Sequence, residues 1–230
     1  PAQDIAAVLR EMDRDGHVDW VTPSSPELDT DRLYVLTETA RQHVASDGRW
    51  ITAGKAALPV STGDVVHRLS RLEATVALNA FAVNLVASWR RAVDMELQDI
   101  WSLPVRRPAN AWWPPGVEAF GWFQSGEQAA PFFVFVDRAG TPAVHRGALV
   151  AGWHQFGDRK QPWGRDSVPP ILTLCPDTVR EAAWARQLQL SANRRGVPVI
   201  KVVLADRSVL VDSPNAPIWQ SAHGPARTAL

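Results

Sequence analysis

At 230 residues, 46% apolar and 21% charged, the chain is long enough to bury a real core in one large or two smaller domains. It has no run near eighteen consecutive apolar positions, so a membrane-spanning helix is not expected. Its 24 basic and 24 acidic residues cancel, but residues 1–50 hold 5 Lys/Arg and 10 Asp/Glu, leaving 19 and 14, so a front at −5 precedes a remainder at +5. Summed over the chain, that balance lacks the basic excess with which phosphate-neutralising proteins bind nucleic acid.

The opening segment PAQDIAAVLREMDRDG places Ile5, Val8, Leu9 and Met12 at the spacing of one helical stripe, with Gln3, Ala7, Arg10 and Arg14 on the other side. Gly16 is the expected helix stop. HVDWV and RLYVLT then read as strands around the polar turn TPSSPELDTD, and Thr37 is placed to cap a short helix in ETARQHVA. Residues 47–63, DGRWITAGKAALPVSTG, have the Gly, Ser, Thr and Pro content of a linker.

The order helix, strand, loop, strand, helix over residues 1–46 resembles the second half of a bacterial winged helix. The resemblance implies a partial DNA-reading unit that lacks two upstream helices. Because Pro1 is not an initiator residue, the chain is expected to be a piece of a longer protein.

A long helix is expected within residues 64–92. Leu69, Leu72, Val76 and Val83 form one apolar face and Leu78, Phe81, Leu85 and Trp89 another, which predicts a helix clamped between layers. Short strands and helices follow: ELQDIWSL, VEAFGWFQ, PFFVFVD, a helix over 142–156, PPILTLC, a helix over 178–194, PVIKVVLA and SVLVD. Strands alternating with helices predict an α/β domain with a mixed sheet over 64–213, its central strands apolar because both faces are covered. Residues 214–230 read as an irregular tail. The eleven Trp are most simply core and interface packing.

A winged helix, a long helix containing HRL and an α/β unit, in that order, resemble the replication-relaxation family of actinobacterial plasmids and integrative elements. The resemblance implies a restriction-endonuclease-like core, α/β within an α+β whole. Its carboxylate positions correspond here to Pro115 in WPPGVEAF and to Phe135, two residues before Asp137 and Arg138 in FVDRAGT. Such a nuclease needs carboxylates to hold a divalent cation that generates the nucleophile and offsets charge on the phosphate. Pro115 and Phe135 ligate nothing. Together with Asp137 and Arg138 they are expected to form a vestigial site, with no catalytic residue, no metal and no cofactor.

Candidate nucleic-acid contacts are Gln3, Arg10 and Arg14 on the first helix and Arg32 beside the second strand, weighed against the neighbouring Asp4, Glu11, Asp13 and Asp15. Arg159, Lys160 and Arg165 in GDRKQPWGRD form a second basic group. Arg194 and Arg195 are accounted for by the end of their helix, whose dipole favours cations. His145 and His154 lie nine apart, which is no zinc spacing, and no Gly-rich phosphate loop or nucleophile elbow is present. Cys175, at the end of an apolar strand, is expected to be an inert buried thiol. With one Cys and no leader-like opening, a cytoplasmic setting is expected.

The expected function is that of a non-catalytic DNA-associated regulator or replication accessory of a mobile element, binding double-stranded DNA. The alternatives are a metal-dependent nuclease with shifted ligands and a winged-helix protein-interaction module that forms a homodimer through the winged-helix region or docks on a protein partner.

Overall fold

The computed structural model describes residues 5–21, 32–37, 39–40, 42–43, 71–89, 96–104, 107–125, 128–138, 140–158, 168–210, 219–221 and 227–228. The chain divides into two compact units, Pro1–Glu73 and Ala74–Leu230. The division falls in the first turn of a helix rather than at residues 47–63, which lie outside the described residues.

In the first unit, α1 (Ile5–Arg14) precedes the antiparallel pair β1 (Val18–Val21) and β2 (Leu33–Leu36). Gly16 ends the helix in a left-handed conformation, φ 72°, and the His17 amide donates to the Met12 carbonyl at 2.8 Å. Thr37 ties the hairpin to that turn, its amide donating to His17 O and its hydroxyl to Gly16 O. The Ala40 amide donates to Thr37 Oγ1 at 3.3 Å, the capping contact expected for the helical backbone at 39–40 and 42–43. The stripe predicted on α1 is less buried than its spacing suggests. Leu9 and Met12 are half-buried, whereas Val8 is exposed.

The second unit is α/β. Its seven-stranded sheet runs β3 (Glu96–Ser102), β4 (Ala119–Ser125), β5 (Gln128–Val136), β6 (Ile171–Cys175), β7 (Val202–Asp206), β8 (Trp219–Ser221) and β9 (Arg227–Thr228). β5, β6 and β7 are parallel and every other pairing is antiparallel. The parallel connections are α3 (Ala143–Gly157) and α4 (Thr178–Arg195). Parallel strands need such crossovers, which cover the sheet and make the central strands continuously apolar.

Residues 132–136 of β5 show that cover directly. Phe133 and Phe135 join Val150, Trp153, Phe156, Trp184 and Leu188 of α3 and α4 in one core cluster. Phe132, Val134 and Val136 join Ala74, Leu78, Phe81 and Leu85 of α2 (Leu72–Trp89) in the other. The side-chain period of two therefore sends alternate residues to helices on opposite faces. Full burial of one such Leu or Phe contributes about 1.5–3 kcal/mol.

Leu78, Phe81 and Leu85 of α2 pack on the sheet; of the other expected face, Leu72 and Val76 are half-buried, Val83 is 66% exposed and Leu69 lies outside the described residues, so no clamp forms around Val83. The segment read as an irregular tail contains β8 and β9, and fully buried Trp219 of β8 meets Phe81 edge-on at 6.0 Å. SVLVD does not begin as a strand. Asp206 Oδ1 accepts from both the amide and the hydroxyl of Ser208 at 2.8 Å, nucleating the single helical turn α5 (Arg207–Leu210). Of the Trp residues, Trp113, Trp153, Trp184 and Trp219 are buried, in keeping with a packing role. Among the described residues, no helix is long and apolar enough to cross a membrane.

Candidate functional site

The two positions that the sequence pairs as lost carboxylates come together around Trp153 of α3. Its Nε1 donates to the Pro115 carbonyl at 2.7 Å, and its ring meets Phe135 edge-on at 5.4 Å. The turn is closely seated on the helix: a Cβ added at Gly152 would lie 2.6 Å from Pro115 Cγ. Gly116, at φ 80°, needs its missing side chain twice over, since a Cβ would meet Leu149 Cδ2 at 2.7 Å.

Phe135 also packs edge-on against Trp184 at 5.2 Å, and Trp153 and Trp184 stack at 5.4 Å. The space beside strand position 135 is thus filled by three rings. Aromatic pairs in these geometries add about 0.5–1.5 kcal/mol each beyond their area.

Asp137 follows on the same side of β5. It is fully buried, with its amide donating to Leu174 O on β6. Arg180, in the first turn of α4, grips both carboxylate oxygens: Nε donates to Oδ2 at 2.8 Å and Nη2 to Oδ1 at 2.9 Å. The same Nη2 donates to the carbonyls of Arg138 and Thr141 at 3.2 and 3.1 Å, and Arg146 Nη1 donates to Thr141 O at 3.0 Å. The turn after β5 is therefore fastened to α3 and α4 by two guanidinium groups. Hydrogen bonding to Asp137 raises the Arg180 pKa above its ordinary value, partly opposed by burial. The Arg138 residue is exposed and contributes its carbonyl.

Sequence reasoning missed Arg180, although a signal was present. Asp177 caps α4 by accepting from the Arg180 amide at 2.7 Å, which puts a cation in a helical first turn where the dipole opposes it. Such an Arg calls for an acidic partner, here 43 residues away in sequence.

Cys175 and Asp206 pair across β6 and β7 at the same end of the sheet, and Glu181 is buried nearby on α4. Burial, then Asp137 and Glu181, push the Cys175 thiol far above its ordinary range, so it stays protonated and unreactive. Among the described residues, no three His, Cys, Asp or Glu side chains converge as a metal ion would require.

Arg10 and Arg14 are exposed on α1, one turn apart. Arg32 is exposed, with its guanidinium over the Trp20 ring at 4.4 Å. Gln3, Arg159, Lys160 and Arg165 lie outside the described residues. Comparisons with family models, with curated proteins and with solved structures find no match to this chain.

Proposed function

We propose that this chain is a non-catalytic DNA-associated protein, a regulator or replication accessory of a mobile element, acting in the cytoplasm by binding and assembly. The resemblance to the replication-relaxation family supplies the biological setting. The observation that carries the DNA reading is the exposed pair Arg10 and Arg14 on α1, joined to a hairpin that presents Arg32 beside Trp20. Two cations one helical turn apart suit successive phosphates, and a guanidinium held over an indole is pre-oriented for another. Exposed Glu11 and Asp15 interrupt that surface, so affinity is expected to be modest and strongly dependent on salt.

What supports the lack of catalysis is the occupation of the strand end. Phe135 is enclosed by indoles, and both oxygens of Asp137 are held by Arg180. Arg180 takes one lone pair of each oxygen, and its positive charge beside the buried carboxylate opposes a second cation there.

The test is fluorescence anisotropy with duplex DNA across a salt series. Binding should weaken steeply with salt, and Arg10→Ala or Arg14→Ala should each flatten the log–log slope by about 0.9. Absence of binding to any duplex at low salt would refute the reading. Plasmid cleavage with Mg²⁺ or Mn²⁺, abolished by Asp137→Asn in a folded variant, would establish the nuclease alternative.

One observation favours a second reading, a protein-docking or self-associating first unit. Trp20 and Leu36 are both exposed and, by strand register, share a face of the hairpin. Light scattering at graded concentration tests it, since self-association through that face should be lost in Leu36→Asp.

A further inference from the structure

The two helices that cover one face of the sheet in the second unit are short of acid. α3 has no Asp or Glu among its 15 residues, and α4 has one among 18, Glu181, which is buried. Soluble surfaces ordinarily intersperse both signs of charge. Here the exposed acids Asp158 and Asp177 stand only at helix ends, after α3 and before α4.

The outer face of α4 carries cations instead. Trp184, Leu188 and Ala192 are its buried positions. Arg186 lies two residues, about 200° of helix rotation, from both Trp184 and Leu188, and Arg194 lies two residues from Ala192, so both point away from the sheet. Arg186, Arg194 and Arg195 are exposed, and exposed Lys201 adds a cation before β7, at the end of the sheet where α4 finishes. The helix dipole accounts for Arg194 and Arg195, in the last turn, but its reach does not extend to Arg186 at mid-helix. The residues three and four positions from Arg186 are Ala182, Ala183, Gln189 and Leu190, so no acid stands at ion-pairing spacing. Cations set on a rigid helix with no exposed acid between them are complementary in charge to a polyanion. Eight residues separate Arg186 from Arg194, about 12 Å along the axis, close to the width of the B-DNA major groove, so the two can meet phosphates on either side of it.

We propose that the outer face of α4 is a second DNA-contacting surface, on which Arg186, Arg194 and Arg195 hold backbone phosphates of a duplex without reading its bases. This rests on the DNA reading above and adds contacts from the second unit to those of α1.

Fluorescence anisotropy of the full chain with duplex DNA across a salt series tests it. Arg186→Ala, Arg194→Ala and Arg195→Ala combined should weaken binding at least about tenfold at low salt and flatten the log–log slope by about 2.7, equally on duplexes of unrelated sequence. The same three positions changed to Lys keep the charge and should keep the slope. Asn193→Glu leaves every arginine in place and adds an acid to the exposed face, so it should weaken binding about threefold or more and serves if the Ala variant does not fold. Wild-type binding that depends on Arg10 and Arg14 but is unchanged in the α4 variants would overturn the proposal and leave the DNA reading standing. No duplex binding by the wild type would overturn both. Unchanged duplex binding together with lost binding of polyglutamate would give the face to an acidic protein partner and overturn the proposal as well.

Discussion

Removal of Arg180 tests the central geometric claim, that Asp137 is a structural strut. Asp137 is fully buried, while the Arg180 side chain is 17% exposed and has two further carbonyl partners. The two partners of this pair are therefore not equivalent. Arg180→Met leaves a buried carboxylate without its bidentate counter-ion, a change that costs about 3–5 kcal/mol in comparable pairs. Asp137→Ala leaves a guanidinium that keeps two carbonyls and reaches water, and should cost less, about 1–3 kcal/mol. For a domain of this size each kcal/mol moves Tm by roughly 2–4 °C, so Arg180→Met should lower it by on the order of 10 °C. The double variant Asp137→Leu with Arg180→Met should recover part of the loss, because an apolar pair carries no uncompensated charge. Urea unfolding followed by Trp fluorescence reads all three. A cost under about 1 kcal/mol for Arg180→Met, or a larger cost for Asp137→Ala than for Arg180→Met, would refute the reasoning.

Other outcomes follow from local geometry. Gly121→Ala puts a Cβ 2.5 Å from Phe132 Cζ and 2.9 Å from the Asp99 carbonyl oxygen, so strands β3 and β4 must part; a loss of at least about 1–3 kcal/mol should appear in denaturant unfolding. Asp177→Ala removes the cap of α4 and should cost about 1 kcal/mol, seen as a lower urea midpoint with unchanged slope. His154, with its pKa depressed from 6.5, gives a pH dependence of definite sign: the unfolded chain takes up the proton first, so its contribution is complete above about pH 6.5 and declines as pH falls towards the folded-state value. The slope is at most about 1.4 kcal/mol per pH unit, and unfolding of His154→Gln between pH 7.5 and 5.5 should lack it.

What was legible in the sequence depended on how local its cause is. β5 was readable because five consecutive buried residues are what a strand covered on both faces requires. The stops at Gly16 and the cap at Thr37 were readable because each acts within a few residues. On the second face of α2 the reading failed at Val83, which has the spacing of a buried position but is exposed, while Leu72 and Val76 are half-buried; periodicity reports a pattern, not a neighbour. β8 and β9, three and two residues long, are too short to carry any period, and Trp219 was their sole apolar cue. The Arg180–Asp137 pair was out of reach as a pair, since the chain separates its members by a helix and a strand.

The state of the strand end follows from how its parts depend on one another. For Phe135 and Asp137 to serve as a ligand pair, Phe135 would have to become a carboxylate and Asp137 would have to be freed of the Arg180 counter-charge. The first change places a charge between Trp153 and Trp184, and desolvation of an ion without a counter-charge opposes it strongly. The second leaves Arg180 on the Arg138 and Thr141 carbonyls but without its buried counter-charge. Either change alone is destabilising, and neither alone yields a ligand set. The aromatic filling and the ion pair lie side by side along one strand end. Phe135 and Asp137 are each committed to this packing, one among indoles and the other to Arg180.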